Sequence, residues 1–374
     1  MFKINHILDV KTQTFSYPII IGERLLQHAE ELIRERLSFS RCAIITNETI
    51  YEIYKDKLNI DAEYVILKDG EEYKNIESYK FILDNLLKLN LERNDIIIAF
   101  GGGVVGDIAG FCAATYLRGV RFVQIPTTLL AQVDSSVGGK VAINHEIGKN
   151  LIGAFWQPSL VLSDVDALKT LDTRQLKTGL GEVVKYALIE KTCNNQFTTS
   201  TNKETLFEFL KNNKNNIFNL SAEALSELIF RCCQLKASVV NVDEKEQGLR
   251  AILNYGHTFA HSIEKCSEYK LFTHGEAVGL GMKMALELSL NLNKINTEYF
   301  DAAMSLIDEY ELGDVQKLKQ ANLNTQELMD TLAHDKKVQN NKIRFVLSTA
   351  LGECNVDTVN DIDGVKRIFE KYAN

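Results

Sequence analysis

The residues with the clearest chemical potential are three histidines and one glutamate. His257 and His261 are four residues apart in a segment of helical character, so both imidazoles should lie on one side of a helix. His274 follows further along the chain, and Glu182 lies upstream. Histidine and carboxylate ligands suit zinc, and a catalytic zinc keeps three protein ligands and an open position. The spacing predicts a metal site and leaves open which three groups bind. The simplest interpretation pairs His257 with His261 and adds His274 or Glu182.

A glycine-rich segment in the first half could hold phosphate groups. Residues 101–107 read Gly-Gly-Gly-Val-Val-Gly-Asp, after a predicted strand and before a predicted helix. Glycines there let the backbone approach a pyrophosphate, and the helix N-terminus offers N–H groups. The usual dinucleotide-binding pattern has an acidic residue about 20 positions further on. Because residues 120–133 contain no Asp or Glu, nucleotide binding and a tight structural turn are both open.

A polar stretch follows, between residues 126 and 158. It combines small and hydroxyl residues with Asp134, Lys140, Lys149 and Asn150. Loops of this kind form sites more often than cores, and a solvated surface loop is the alternative. Further polar side chains lie downstream, at Lys185, Lys236, Arg250, Asn254, Lys336 and Lys337. Each basic residue alone could belong to a solvated helix face, but together they would form a cationic pocket for a substrate with a carboxylate and a phosphate.

Two periodicities divide the chain near residue 170. Before it, short apolar runs alternate with helical patterns, which predicts a Rossmann-like parallel sheet with helices on its faces. The predicted strands are 15–21, 42–46, 64–67, 95–100, 122–125 and 160–162, and one intervening helix starts near residue 76. The predicted helices of the second half are 173–190, 221–241, 249–267, 274–291 and 297–311, followed by a hairpin of residues 342–347 and 353–356. We therefore predict an α/β domain over residues 1–170 and a mainly helical domain over residues 171–374.

Composition and charge exclude several classes of protein. Hydrophobic residues make up 45% of the chain and charged residues 25%, which is typical of a soluble globular protein. The formal net charge of -8 argues against nucleic acid as the main partner. The start lacks a signal-peptide core, and no run of about 18 apolar residues exists to span a membrane. The seven cysteines form no Cys-x-x-Cys pair, so we expect reduced thiols in a cytoplasmic protein.

The motifs resemble those of the 3-dehydroquinate synthase family. The resemblance includes the glycine-rich and polar stretches, Tyr116-Leu-Arg-Gly, Gly181-Glu-Val-Val-Lys and Asp243-Glu-Lys-Glu. It continues through Arg250-Ala-Ile-Leu-Asn-Tyr-Gly-His-Thr-Phe-Ala-His-Ser-Ile-Glu and His274-Gly-Glu-Ala-Val. Order and spacing match from about residue 40 to 350. The resemblance implies an NAD-binding α/β domain, a helical domain and an active site in the cleft between them.

The resemblance also implies a role for each candidate residue. Zinc, or cobalt in its place, would be held by Glu182, His257 and His274, whereas His261 matches a histidine that contacts substrate. The positions that match NAD contacts are Glu71, Lys74, Gly102, Gly103, Val104, Asp107, Thr127, Thr128, Leu130, Lys140, Lys149 and Thr170. The acid that holds the adenosine ribose in the family is Asn47 here, and Thr49 could share its role.

The implied reaction is the closure of a carbocycle from a small sugar-acid phosphate. In the family, 3-deoxy-D-arabino-heptulosonate 7-phosphate becomes 3-dehydroquinate and phosphate, a step of the shikimate pathway to chorismate and aromatic amino acids. The positions that match substrate contacts are Asp134, Lys140, Lys149, Asn150, Lys185, Lys236, Arg250, Asn254, His261 and one of Lys336 and Lys337. Arg118 matches an arginine that reaches the neighbouring subunit's site, which implies a homodimer.

Three other functions remain open at this point. Another sugar phosphate cyclase, such as a 2-deoxy-scyllo-inosose or valiolone synthase, would share the metal and cofactor but differ in the groups that bind a carboxylate. Lys236, Arg250 and Asn254 favour a carboxylate substrate. A metal-dependent polyol dehydrogenase of related fold would release NADH. A catalytically inactive nucleotide-binding or scaffold protein would not need the metal ligands.

Overall fold

The chain is organised in two compact units. The computed structural model describes residues 2–194, 204–334 and 343–373 of the 374-residue chain. The first unit comprises Met1–Leu171 with Asn216–Lys245, and the second comprises Asp172–Asn215 with Glu246–Asn374. The first break falls beside the predicted boundary at residue 170, but residues 216–245 belong to the first unit and not to the predicted helical domain. The helix of this segment, Ala222–Val242, packs on the first two strands of the sheet. The periodicity of its apolar residues predicts that one face is buried but does not predict which surface covers that face.

The strands and helices of the described residues have the following bounds. The strands are β1 Lys3–Lys11, β2 Ser16–Glu23, β3 Cys42–Asn47, β4 Glu63–Leu67, β5 Ile96–Gly101, β6 Arg121–Pro126, β7 Lys140–His145, β8 Gly148–Phe155, β9 Leu160–Asp164, β10 Ile343–Ala350 and β11 Glu353–Val359. The helices are α1 Ala29–Arg34, α2 Glu48–Tyr54, α3 Ile76–Lys88, α4 Gly103–Thr115, α5 Thr173–Asn194, α6 Leu206–Phe218, α7 Ala222–Val242, α8 His257–Cys266, α9 His274–Asn291, α10 Thr297–Glu309, α11 Val315–Gln320, α12 Thr325–His334 and α13 Ile362–Ala373.

A seven-stranded sheet forms the centre of the described part of the first unit. Its strand order is β1-β2-β9-β6-β5-β3-β4. Only the pairing of β1 with β2 is antiparallel within this sheet, and the other neighbours are parallel. A strand that is buried on both faces appears in the sequence as a continuous run of apolar residues. Strand β5 is an example, because every one of its residues is buried. The six predicted strands are all present, and the predicted Rossmann-like parallel sheet is confirmed.

Part of the polar stretch is a hairpin, which the sequence predicts as a loop. Strands β7 and β8 pair antiparallel over Lys140 to Phe155. The loop prediction is wrong here because backbone pairing does not require apolar side chains, and most residues of β8 are exposed. Strand β1 was also not predicted, since its residues alternate between half-buried and exposed and interrupt the apolar run.

Helices dominate the second unit, as the sequence predicts. The predicted helices at 173–190, 274–291 and 297–311 correspond to α5, α9 and α10, and the predicted hairpin corresponds to β10 and β11. The helix predicted over 249–267 is wrong in its first half, because Leu249–Asn254 is a separate short 3-10 helix.

Gly256 marks the break before α8. Its φ of +78° is a left-handed conformation, and α8 begins at the next residue. Among the described helices, no segment combines the length and apolarity that a bilayer span requires.

Candidate active site

Three side chains of the second unit converge on one point. Glu182 lies in α5, while His257 and His274 are the first residues of α8 and α9. Oε1 of Glu182 lies 3.4 Å from Nε2 of His257 and 3.2 Å from Nε2 of His274. One ligand atom from each residue lies within 4.8 Å of the others. Two atoms bound to a tetrahedral zinc at about 2.1 Å would be about 3.4 Å apart, so the spacing suits a single shared ion.

Glycines beside the ligands allow the helices to approach closely. A Cβ atom on Gly181 would lie 2.7 Å from Cα of Gly275, and one on Gly275 would lie 2.2 Å from the carbonyl oxygen of Thr178. Neither position accepts a side chain unless a backbone moves, so α5 and the start of α9 meet backbone to backbone. Because Glu182 and His274 are the chain neighbours of these glycines, the crossing brings the two ligands together.

Each imidazole of the candidate metal cluster has a partner for its other ring nitrogen. Nδ1 of His257 lies 3.0 Å from the carbonyl oxygen of Tyr255. A carbonyl can only accept, so Nδ1 carries the proton and the lone pair of Nε2 is free for a metal. Nδ1 of His274 lies 3.2 Å from Oε1 of the buried Glu264. Such partners fix the tautomer and orientation of a metal ligand and raise its basicity.

The charges around the cluster set unusual protonation states. Burial alone would raise the pKa of Glu182, but Lys185 and the neighbouring imidazoles hold it well below its usual value. Burial lowers the pKa of His257 to about 4, although Glu182 opposes this. Burial would also lower the pKa of His274, but the carboxylates of Glu182 and Glu264 raise it to about 10. At neutral pH a metal ion would therefore meet an ionised carboxylate and a neutral His257, and it would displace a proton from His274.

Oε1 of Glu182 indicates most directly that the cluster fits a cation. This oxygen is buried, and among the described residues it has no hydrogen-bond partner, although two imidazole nitrogens lie near it. The other carboxylate oxygen accepts a hydrogen bond from Nζ of the buried Lys185. A cation bound at the common point would coordinate this oxygen together with the two nearby imidazole nitrogens. The donor set of one carboxylate and two imidazoles suits zinc or cobalt.

His261 lies beside the cluster without joining it. Its ring centroid is 5.6 Å from that of His257, with the two rings nearly perpendicular. The atoms that converge come from Glu182, His257 and His274. The pairing of His257 with His261 as metal ligands is therefore not what the structure brings together, because a shared helix face does not ensure a shared point in space.

The other substrate candidates of the second unit precede α8. Arg250 and Asn254 lie on the 3-10 helix Leu249–Asn254, where Arg250 is fully buried. Nδ2 of Asn254 donates a hydrogen bond of 3.1 Å to Oε1 of Glu246. Lys336 and Lys337 lie outside the described residues, so their role stays a prediction.

In the first unit, the glycine-rich segment forms the predicted strand, turn and helix. Gly101 ends β5, Gly102 has an extended backbone, and α4 begins at Gly103. The amide of Thr127, just after β6, donates a hydrogen bond of 3.0 Å to the carbonyl of Gly101. Oγ1 of Thr127 is buried and has no hydrogen-bond partner among the described residues. Ligands of open α/β sheets bind beyond such carboxyl ends of strands, where the candidates Gly102, Gly103, Val104, Asp107, Thr127, Thr128 and Leu130 lie.

A chain of polar contacts joins candidates from distant parts of the sequence. Nζ of Lys74 lies 2.5 Å from Oδ2 of Asp107 and 2.6 Å from Oδ1 of Asn150. Burial raises the pKa of Asp107, although Lys74 acts in the opposite direction. Nζ of Lys149 lies 3.9 Å from Oε1 of Glu71. The structure therefore places these five candidates in one cluster.

Lys236 also belongs to the first unit, since α7 carries it there. Its Nζ lies 3.0 Å from Oδ1 of Asp134 and 2.8 Å from that residue's carbonyl oxygen. Lys140 begins β7 and is exposed. The hydroxyl of Thr170 lies 2.7 Å from that of Tyr54.

Sequence reasoning missed an acidic residue near the predicted ribose site. Oδ1 of Asp69 accepts a hydrogen bond of 2.7 Å from Nδ2 of Asn47, and Oδ2 accepts one of 2.7 Å from Oγ1 of Thr49. Asp69 follows β4, the parallel neighbour of β3. The sequence signal is an Asp-Gly turn directly after a predicted strand, but only the fold shows that this turn lies beside the end of β3.

Comparison with known proteins decides the family. A model described as 3-dehydroquinate synthase N-terminal matches residues 64–178, and one described as 3-dehydroquinate synthase C-terminal matches residues 179–338. A 3-dehydroquinate synthase of Neisseria meningitidis serogroup A is 42% identical over 372 residues, covering 98% of this chain and 99% of the relative. The chain belongs to the 3-dehydroquinate synthase family. Another 3-dehydroquinate synthase, from Prochlorococcus marinus, is 43% identical and covers 96% of both chains.

Solved structures similar to this member of the 3-dehydroquinate synthase family share its fold. A 2-deoxy-scyllo-inosose synthase complexed with carbaglucose-6-phosphate, NAD+ and Co2+ is 26% identical, with a TM-score of 0.84 over 98% of this chain and 100% of the other. ValA, a 2-epi-5-epi-valiolone synthase from Streptomyces hygroscopicus with NAD+ and Zn2+ bound, is 23% identical, with a TM-score of 0.82 over 97% and 98%. The latter likeness shows the fold alone. The predicted α/β and helical fold class is confirmed.

Proposed function

We propose that the protein is a 3-dehydroquinate synthase, a lyase that converts 3-deoxy-D-arabino-heptulosonate 7-phosphate to 3-dehydroquinate and phosphate. The observation that carries the proposal is the 42% identity to curated 3-dehydroquinate synthases over 98% of the chain. This step belongs to the shikimate pathway, which leads to chorismate and the aromatic amino acids. The overall conversion eliminates one phosphate, forms one carbon–carbon bond and leaves the cofactor in its starting oxidation state.

The proposal includes NAD and a divalent metal, zinc or cobalt. Glu182, His257 and His274 would hold the metal, and the unpartnered Oε1 of Glu182 supports this. The groups around the glycine turn of the first unit would hold NAD, and the unpartnered hydroxyl of Thr127 is available to a ligand there. The metal would supply Lewis acidity towards a substrate hydroxyl, and NAD would accept a hydride and return it.

The chain's own residues have separate tasks in this reaction. Lys185 occupies Oε2 of Glu182, which leaves Oε1 as the ligand atom. Lys236, Arg250 and Asn254 would bind the substrate carboxylate, since a guanidinium matches its planar shape. Lys149 and Asn150 would add to the groups that offset the phosphate charge. These contacts hold the substrate in one orientation, which lowers the entropic part of the barrier.

The decisive experiment follows phosphate release from the heptulosonate phosphate. We expect release that requires NAD in catalytic amounts, stops after chelation and returns with zinc, without accumulation of NADH. Accumulation of NADH in step with substrate consumption would instead support a polyol dehydrogenase and overturn the proposal.

A second candidate function is that of another sugar phosphate cyclase. The observation that favours it is the TM-score of 0.84 to a 2-deoxy-scyllo-inosose synthase. The identity of 26% to that protein, against 42% to 3-dehydroquinate synthases, argues for the first proposal. Phosphate release from glucose 6-phosphate, and none from the heptulosonate phosphate, would select the second candidate.

We also propose a homodimer in which Arg118 completes the partner's site. Leu117 and Arg118 have φ angles of 50° and 68°, a strained arrangement for two successive residues with side chains. Arg118 is exposed, and no described residue pairs with its side chain. Strain of this kind often marks a functional loop, and an unpaired guanidinium is available to a substrate phosphate or carboxylate.

Mixing two inactive variants tests the shared site. Arg118→Ala and Lys185→Ala should each be inactive alone. Subunit exchange should restore about a quarter of the wild-type activity, because half of the dimers are mixed and each holds one intact site. Absence of any rescue, with exchange verified by a mass tag, would contradict the shared site.

The proposed location is the cytoplasm. All seven cysteines are free in the structure, and six of them are buried. This is the state expected in a reducing compartment. Fractionation of the source cells tests the location, and recovery of the protein outside the cytoplasmic fraction would contradict it.

A further inference from the structure

Asn144, at the end of β7, contacts two groups of site residues at once. Its Nδ2 donates a hydrogen bond of 2.7 Å to Oε1 of Glu71. Its Oδ1 accepts a hydrogen bond of 2.9 Å from the backbone amide of Asn150. Its own backbone amide donates 2.7 Å to the carbonyl oxygen of Lys74. One half-buried asparagine therefore joins the segment of Glu71 and Lys74 to the turn of Asn150.

The chemistry of the partners fixes the orientation of this amide. The carboxylate of Glu71 can only accept, and the backbone N–H of Asn150 can only donate. An aspartate at residue 144 could still accept from Asn150, but it would place a second acceptor against Glu71. A leucine or alanine could do neither. The amide of asparagine thus serves both partners with a single side chain.

The contacts form a closed ring with the cluster already described. From Asn144 the ring runs through Asn150 to Nζ of Lys74, whose backbone returns to Asn144. Lys74 also holds Asp107. Asn150 has a φ of 55°, a left-handed conformation that asparagine adopts more readily than most residues with side chains. The hydrogen bond from its amide to Asn144 is one of the contacts that hold this conformation.

We propose that Asn144 is a positioning residue that holds the cofactor-binding carboxylate of Glu71 and the substrate-binding turn of Lys149 and Asn150 in a fixed relation. The inference rests on the proposed function, because that function assigns NAD to Glu71 and substrate to the turn. Asn144 does not itself touch NAD or substrate. Its loss should weaken NAD and substrate binding more than it slows the bound complex.

The test reverses the direction of one hydrogen bond. Asn144→Asp removes the donor to Glu71 and adds a like charge, and Glu71→Gln removes the charge at residue 71 and supplies an amide donor. In the double variant, the new amide at residue 71 can donate to the new carboxylate at residue 144. Asn94→Asp is the matched control, since this exposed asparagine of the first unit changes net charge equally and its side chain makes no contact with the described residues of the cluster.

We expect Asn144→Asp to raise the KM for NAD about tenfold, as for loss of a hydrogen bond to a charged group, with kcat reduced less than threefold. The double variant should have a KM for NAD at least fivefold below the product of the two single effects. The Tm and zinc content should stay near wild type, and Asn94→Asp should change none of these values.

Independent effects of the two substitutions, with no coupling in the double variant, would overturn the role of Asn144. An unchanged KM with a reduced kcat would also overturn it. Asn144→Ala gives a second route if Asn144→Asp is unstable, because it should raise both KM values without introducing charge. A wild-type protein that neither binds NAD nor releases phosphate would refute the proposed function instead, so the two failures are distinguishable.

Discussion

Gly181→Ala is the substitution that most directly tests how the fold builds the metal cluster. The added Cβ would lie 2.7 Å from Cα and 2.8 Å from the carbonyl oxygen of Gly275. Carbon atoms in contact are about 3.5 Å apart, so α5 and α9 would have to separate by about 0.8 Å at this crossing. Glu182 and His274 are adjacent in sequence to the two glycines, and their ligand atoms would separate by a similar distance.

The size of the effect follows from the tolerance of metal bonds. Zinc sites keep ligand distances within about 0.2 Å of their ideal values, which the displacement exceeds several-fold. We expect zinc affinity to fall about 100-fold, or about 2.7 kcal/mol. Overpacking should also cost the metal-free protein about 1–3 kcal/mol of unfolding free energy.

Competition with a chromophoric chelator measures the zinc affinity, and thermal unfolding of the metal-free protein measures the packing cost. Gly148→Ala is the control, because its Cβ would meet only the side chain of Leu151, at 3.3 Å. The control should keep wild-type zinc affinity. A Gly181→Ala protein that is less stable but binds zinc within about threefold of wild type would refute the link between the helix crossing and the ligand geometry.

Three further predictions concern the groups around the two sites. Glu264→Gln keeps a hydrogen-bond acceptor for His274 but removes the negative charge, so zinc should dissociate about tenfold faster when a chelator is added in excess. An unchanged dissociation rate would show that the charge of Glu264 does not strengthen the bond between His274 and zinc. The folded-state pKa of His274, about 10, lies above its ordinary value of 6.5. Protonated His274 therefore stabilises the folded, metal-free protein fully below pH 6.5, and this stabilisation is lost as the pH rises towards 10. Zinc should accordingly release about one proton at neutral pH, measured by calorimetry in buffers of different ionisation enthalpy, and release of none would contradict this protonation state. Asp69→Asn should raise the KM for NAD about tenfold if this carboxylate holds the adenosine ribose, whereas an unchanged KM would remove it from the cofactor site.

Local sequence patterns were sufficient for the elements that the sites depend on. The inner parallel strands β3, β5, β6 and β9 are almost wholly buried, so their apolar runs stand out, and β3 to β6 lie where they were predicted. The glycine turn after β5 was likewise visible, because glycine spacing reports a close backbone approach. The helices α5 and α9 were predicted near their observed bounds.

Residues that meet through tertiary packing could not be paired from the sequence. Glu182 and His274 come together only because two glycines let their helices touch, and periodicity carries no information about that crossing. Spacing instead suggested His257 with His261, which share a helix face but not a ligand point. Lys236 was placed in the wrong domain for a similar reason, since an amphipathic helix does not identify the surface that covers it.

The sequence also could not predict which polar side chains would form hydrogen bonds with one another. Asp69 and Asn144 are ordinary turn and strand-end residues in the sequence, and their importance lies in the partners that the fold brings to them. The resemblance to a family named the three candidate metal ligands that the structure brings together, whereas contacts particular to this chain appeared only in the structure.

Diffraction from crystals grown with zinc, recorded on both sides of the zinc absorption edge, tests the central claim most directly. We predict one strong anomalous peak about 2.0–2.2 Å from Oε1 of Glu182, Nε2 of His257 and Nε2 of His274. A strong peak at any other position, with these three side chains left without a metal, would contradict the account.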